Sequence, residues 1–155
     1  MVKFLDGMET LNKKFIVSFL IVLAFFVFLF FLNNKLPDNF RYLKISNVVL
    51  KVELANTFES QTLGLSGREN LKEKEGMLFV FDHLDRYAFW MKDMNFPIDI
   101  IWLDENKKII HIERDVRPES YPTTFGPDQR SLYVLEVVSG FADKYNLKIG
   151  DGVSF

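Results

Sequence analysis

Beyond residue 32 the sequence predicts a mainly β domain, an all-β sandwich or small barrel with one or two short helices. Ahead of that domain it predicts a single transmembrane helix. Three observations carry this reading. Residues 15–32 run FIVSFLIVLAFFVFLFFL, eighteen positions with one serine and no charge. Residues 33–155 carry short apolar runs, several at period two, broken by turn residues at close spacing. Helical periodicity is scarce there, and many short strands without alternating long helices argue against a βαβ sheet.

The elements follow in chain order. At about 1.5 Å per residue, eighteen helical residues cover roughly 27 Å, close to the roughly 30 Å hydrocarbon core of a bilayer. A cleaved signal peptide has a shorter apolar region followed by small residues. Here Asn33-Asn34-Lys35-Leu36-Pro37 follows instead, which favours an uncleaved signal anchor with the lipid bilayer as its partner. Lys3, Lys13 and Lys14 precede the run, and Lys35, Arg41 and Lys44 follow it. Because Lys13 and Lys14 abut it, residues 1–14 are expected in the cytoplasm and the C-terminal domain outside. Zero cysteines fit an exported domain without disulfides, and a cytoplasmic one equally. Residues 33–44 are expected as a linker and residues 45–155 as the β domain.

Within that domain, Val48, Leu50, Val52 and Leu54 alternate with polar neighbours as in a half-buried strand. Gly76 opens Met77 to Phe81, a run apolar on both faces; Ala88 to Met91 and Ile98 to Leu103 are similar. Asp104 to Lys107 is a turn, so Ile98 to Glu113 reads as a hairpin. Leu132 to Val138 is a further strand, and Leu147 to Val153 reads as a strand bent by a Gly-Asp-Gly turn. Thr57 is placed to cap a short helix ending at Gly64, and Ser139 to Tyr145 allows another. Runs apolar on both faces imply that both faces of some strands are covered, as in two packed sheets.

Composition excludes several classes. Residues 33–155 hold sixteen basic and nineteen acidic residues, which gives no electrostatic footprint for nucleic acid. No polybasic patch would hold the domain flat on anionic lipid. The sequence has no P-loop, no dinucleotide fingerprint and no G-x-S-x-G elbow. His83 and His111 are far apart in sequence and no cysteine supports them, so no metal or other cofactor is expected. His111, Glu113 and Asp115 alternate, but alternating polar residues also describe a solvated strand face.

Six blocks in order carry a resemblance. They are Gly64-Leu65-Ser66-Gly67-Arg68, Gly76 to Phe81, Phe89-Trp90-Met91-Lys92-Asp93, Pro97 to Ile101, Tyr133 to Val137 and Gly150-Asp151. Together they resemble domain-of-unknown-function family 192, from about Val48 to Val153. The resemblance implies a jelly-roll-like β-sandwich and implies no established activity. It also marks two departures, Ser66 where methionine is usual and Met94 where threonine is usual.

Five residues are candidates for a ligand-holding polar cleft: Arg68, Trp90, Lys92, Asp99 and Glu136. Asp99 and Glu136 sit inside otherwise apolar strands, where a carboxylate must be paired, hydrogen-bonded or neutral. Arg68 and Lys92 are the nearest partners by block. The same residues also read as a satisfied structural network, and that reading is favoured. Trp90 could serve as an aromatic platform, whereas Trp102 reads as core. Residues 114–130 form a long polar segment that either crosses the surface or rims a site through Arg117, Tyr121 and Asp128.

The molecular function is not written in any motif. The leading expectation is a membrane-anchored extracytoplasmic domain that binds a small ligand or an envelope or protein partner. One alternative is an envelope-acting enzyme using Asp99 or Glu136 with Lys92. A carboxyl of raised pKa in an open pocket would favour it. Another is a structural role in which the anchor presents the domain to a membrane complex, which a large exposed apolar patch on the domain would favour.

Overall fold

The computed structural model of the chain describes residues 15–29 and 39–155. It divides into two units, Met1–Asp38 and Asn39–Phe155. In the first, residues 15–29 form helix α1, with apolar side chains from Phe15 to Phe28 exposed. No helix among the described residues is long and apolar enough to cross a membrane. The expected tail 1–14, residues 30–32 of the expected span and residues 33–38 of the expected linker lie outside the described residues.

The second unit is built on one curled sheet of seven strands. In chain order these are β1 (Phe40–Ile45), β2 (Val48–Ala55), β3 (Glu75–Asp85), β5 (Ile98–Leu103), β6 (Ile109–Val116), β8 (Ser131–Val138) and β9 (Val153–Ser154). They lie in the order β6-β5-β8-β3-β2-β1-β9. The two edges meet where Lys108 bridges Gly152 and the Val153 N–H donates to the Lys107 carbonyl at 2.9 Å. The sheet is therefore a half-barrel. The two strands β4 (Phe89–Trp90) and β7 (Thr124–Phe125) pair separately.

This corrects the expectation of two packed sheets. Doubly apolar strands do have both faces covered, but by two cores on either side of one sheet. Leu43, Leu50, Leu78, Ile101, Leu135 and Phe141 belong to the first core. Met77, Phe79, Met91, Ile100, Trp102 and Val134 belong to the second. Adjacent residues such as Leu78 and Phe79 enter different cores, because successive side chains point to opposite faces.

Three further expectations are revised. Strand β1 begins at Phe40, inside the range read as linker; only Leu43 and Ile45 point inward, too short a pattern to register. Strands β2 and β3 run parallel, joined through helix α2 (Phe58–Leu63), so one parallel pair with a helical connection stands in an otherwise antiparallel sheet. The bent strand expected over Leu147 to Val153 is instead a turn held by the Lys148 N–H on the Asp151 carboxylate, ahead of the two-residue β9.

Other elements match the sequence. The hairpin of β5 and β6 turns at residues 104–107. Helix α2 opens with a capping box, in which the Ser60 N–H donates to the Thr57 hydroxyl and the Thr57 N–H to the Ser60 hydroxyl. It ends at Gly64, whose φ of 54° and ψ of −135° suit glycine. Helix α3 (Phe141–Lys144) follows β8.

Candidate functional site

The register of β8 sorts the two buried carboxylates. Glu136 lies opposite Ile100 on β5 and Met77 on β3, both in the second core. Asp99 lies opposite Val137, which belongs to the first core. Paired residues share a face, so Asp99 and Glu136 point to opposite sides of the sheet. They cannot act together.

Asp99 is fully engaged. Its Oδ1 accepts from the Asp115 N–H at 2.9 Å and the Gly140 N–H at 3.3 Å. Its Oδ2 accepts from the Ala142 N–H at 2.8 Å. Asp99 thus fixes the start of α3 and the far end of β6, a structural role that matches its burial.

Glu136 is the opposite case. It is only 5% exposed, and its Oε2 has no hydrogen-bond partner. Burial pushes its carboxyl up to about 8, opposed only by the positive charge of Arg68. Native structures rarely leave a buried polar side-chain atom unpaired. Arg68 does not supply the partner, because its guanidinium donates to the Glu53 carboxylate at 2.7 Å.

The Glu136 carboxyl lines a cavity of about 170 Å³. Phe79, Phe81, Tyr87, Phe89 and Trp90 supply aromatic walls, and the 61–66 segment covers one side. The walls brace one another: Phe81 stacks on Tyr87 at 3.4 Å between centroids, and Phe79 meets Phe89 edge-on at 4.8 Å. The Trp102 indole N–H donates to the Tyr87 carbonyl at 2.8 Å, tying this layer to β5. Gln61 donates to the Val80 carbonyl at 2.8 Å and so fastens α2 to β3. A Cβ at Gly64 would lie 3.4 Å from the Phe79 ring and 4.0 Å from Glu136 Oε2, so glycine keeps the space over the carboxyl open.

Two loops clasp at the rim. The Ser66 hydroxyl donates to the Lys92 carbonyl at 2.9 Å, the Gly67 N–H to the Asp93 carbonyl at 2.8 Å, and the Asn95 amide to the Arg68 carbonyl at 2.9 Å. Beside the cavity is a second, shallower hollow of about 440 Å³, which shares Thr62, Leu63, Ser66 and Trp90 with it. Phe58 (79% exposed), Leu63 (61%) and Trp90 (51%) give it an apolar rim, with Glu59, Lys92 and Asp93 alongside.

Of the five residues singled out from the sequence, Glu136 and Trp90 therefore share a cavity and Lys92 stands at the adjoining hollow. Arg68 faces a different depression with Glu53, and Asp99 is on the other face. Trp102 is core, fully buried. Tyr121 reaches the rim, its ring 5.6 Å from Trp90, while Arg117 pairs with Asp115 and Asp128 is exposed at the surface. His111 bonds Glu113 at 2.9 Å, and no cluster that could hold a metal occurs among the described residues. Sequence reasoning missed Gln61, Gly64, Phe81 and Tyr87, which meet only through the return of the 56–74 and 86–97 segments across β3 and β8. Ser66 and Met94 were visible only as departures, and both line the cavity.

The fold and site define a small half-barrel β domain carrying an aromatic cavity floored by a buried carboxyl. The chain belongs to the family described as "Uncharacterized ACR", domain-of-unknown-function family 192, whose model matches residues 41–155. A protein of unknown function from Novosphingobium aromaticivorans is 28% identical, with a TM-score of 0.71 over 79% of this chain and 90% of its own. A protein from Sinorhizobium meliloti described as "a putative transcription regulator" is 26% identical, with a TM-score of 0.68 over 73% of this chain and 89% of its own. Comparison with curated proteins gives no match.

Proposed function

We propose that the half-barrel domain binds a small ligand in the cavity over Glu136, and that the apolar segment 15–32 holds it in a membrane with the domain outside the cytoplasm. One observation carries the binding reading: Glu136 lines an open cavity and its Oε2 is buried without a partner, whereas every oxygen of Asp99 is satisfied. A ligand group that hydrogen-bonds Glu136 would remove that cost, and the aromatic walls would supply apolar contact. The length and uniform apolarity of residues 15–32, with Lys13 and Lys14 abutting them, support the anchor and its orientation.

An enzymatic role for Glu136 has one observation in its favour, since a carboxyl held neutral at pH 7 is what a general acid requires. It lacks the expected companions. Asp99 is on the opposite face, and Lys92 stands at the adjoining hollow and not in the cavity. Direct reading of DNA, suggested by the description of the Sinorhizobium meliloti protein, is disfavoured by the acidic balance of residues 33–155.

The test is thermal unfolding of the full chain in neutral detergent against libraries of glycans, peptides, nucleotides and amines. At a hundredfold over its dissociation constant a ligand adds about 2.7 kcal/mol, which raises the midpoint by several degrees. The expected result is one class that stabilises the wild type and not Glu136→Gln or Trp90→Ala. Equal stabilisation of all three, or none from any class, overturns the cavity as a binding site.

A further inference from the structure

Resting on the cavity as the binding site, we infer that its ligand presents a small organic ammonium group, seated on Glu136 among the aromatic side chains of Phe79, Phe81, Tyr87, Phe89 and Trp90. Four observations converge on this chemistry. Glu136 lines the cavity, and its Oε2 is buried and partnerless. Arginine, lysine and histidine are absent from the residues lining it, so nothing there would welcome an anion. Five aromatic rings in one small space form a setting in which a cation is attracted to ring faces. The adjoining hollow adds Glu59 and Asp93 against Lys92, so the approach carries more negative than positive charge.

Tyr87, between β3 and β4, is the other ionisable side chain lining the cavity. Its hydroxyl is engaged with the His83 carbonyl at 2.7 Å. Arg68, after α2, acts on Glu136 at a distance and is held by Glu53 of β2. From β5 and β3 the facing residues are Ile100 and Met77, both apolar. An ammonium would thus bring the one short-range positive charge to this carboxyl.

The carboxyl of the empty site is neutral near pH 7, because burial lifts it to about 8. When R–NH₃⁺ seats, the carboxyl O–H ionises, its proton leaves to the buffer and an ion pair remains. Affinity should therefore rise about tenfold for each pH unit up to about 8 and then level. A neutral ligand that needs the carboxyl as donor would show no such rise.

The test uses the full chain in neutral detergent, with n-butylammonium, n-butanol and butyrate as probes at pH 6, 7 and 8, read by amide and indole NMR shifts. Butylammonium stays cationic throughout this range. The expected result is that butylammonium moves the resonances of Gly64, Ser66 and Trp90, binds roughly fiftyfold more weakly at pH 6 than at pH 8, and loses at least tenfold in Glu136→Gln. Butanol or butyrate binding the cavity better than butylammonium, or an affinity flat in pH, overturns the ammonium assignment and leaves the cavity a binding site. No probe moving those resonances overturns both.

Discussion

Glu136 and Asp99 show how two carboxylates of similar sequence context can serve different ends. Asp99 gathers three backbone N–H donors; Asp99→Ala would leave them buried without an acceptor, at about 1–3 kcal/mol for each that water cannot reach. Glu136 has the contrary energetics. Its pKa is higher in the fold, about 8, than the 4.5 of an unperturbed glutamate, so the folded chain holds more protons between those values. Stability is then fully present below about 4.5 and falls about tenfold in the folding equilibrium per pH unit as pH rises toward 8. Glu73 and Asp115, whose pKa values are lowered by hydrogen bonds to Lys144 and to Ser139 respectively, lose their contributions only as pH falls below the ordinary carboxylate range. The windows do not overlap. Chemical denaturation between pH 5 and 8 should show wild-type stability falling while Glu136→Gln stays level and exceeds it at pH 8, and Asp99→Ala should be weaker at every pH.

At the scale of elements, the site depends on how closely β3 and β8 approach beneath it. A Cβ at Gly76 would stand 2.7 Å from the Glu136 carbonyl oxygen, which is backbone and cannot turn away. Gly76→Ala should therefore push β8 from β3 and lower the thermal midpoint by about 10 °C or more, the effect of a loss of a few kcal/mol in a domain of this size. Much of this level was legible beforehand. Period two marked β2, the Asp104 to Lys107 turn marked the β5–β6 hairpin, and Thr57 marked the start of α2. The parallel pairing of β2 with β3 was not, because strand direction is set by the route of residues 56–74 and leaves no trace in periodicity. The same holds for the cleft. Glu136 and Trp90 stood out as chemically conspicuous, whereas the opposite facing of Asp99 followed only from the Asp99–Val137 and Ile100–Glu136 register.

For the whole molecule, the two units carry separate questions. The half-barrel domain carries two cores and the Glu136 cavity, and family 192 membership covers residues 41–155 of it. The apolar segment 15–32 carries the proposed anchoring. Full-length chain is expected to remain in the membrane pellet after alkaline carbonate washing and to be released by detergent, with the domain open to protease from outside the cell. Release by carbonate, or protection from external protease with the membrane intact, would contradict the anchor or its orientation. The central claim about the domain is narrower: a carboxyl is held neutral and unpartnered on the wall of a binding cavity. The most direct measurement is a carbon-13 NMR titration of the Glu136 carboxyl in the full chain, with Glu136→Gln to assign the resonance. The account predicts a midpoint near 8 that falls when the cavity is filled by an ammonium ligand. A midpoint near the unperturbed 4.5 would mean that Glu136 is solvated or paired, and would contradict it.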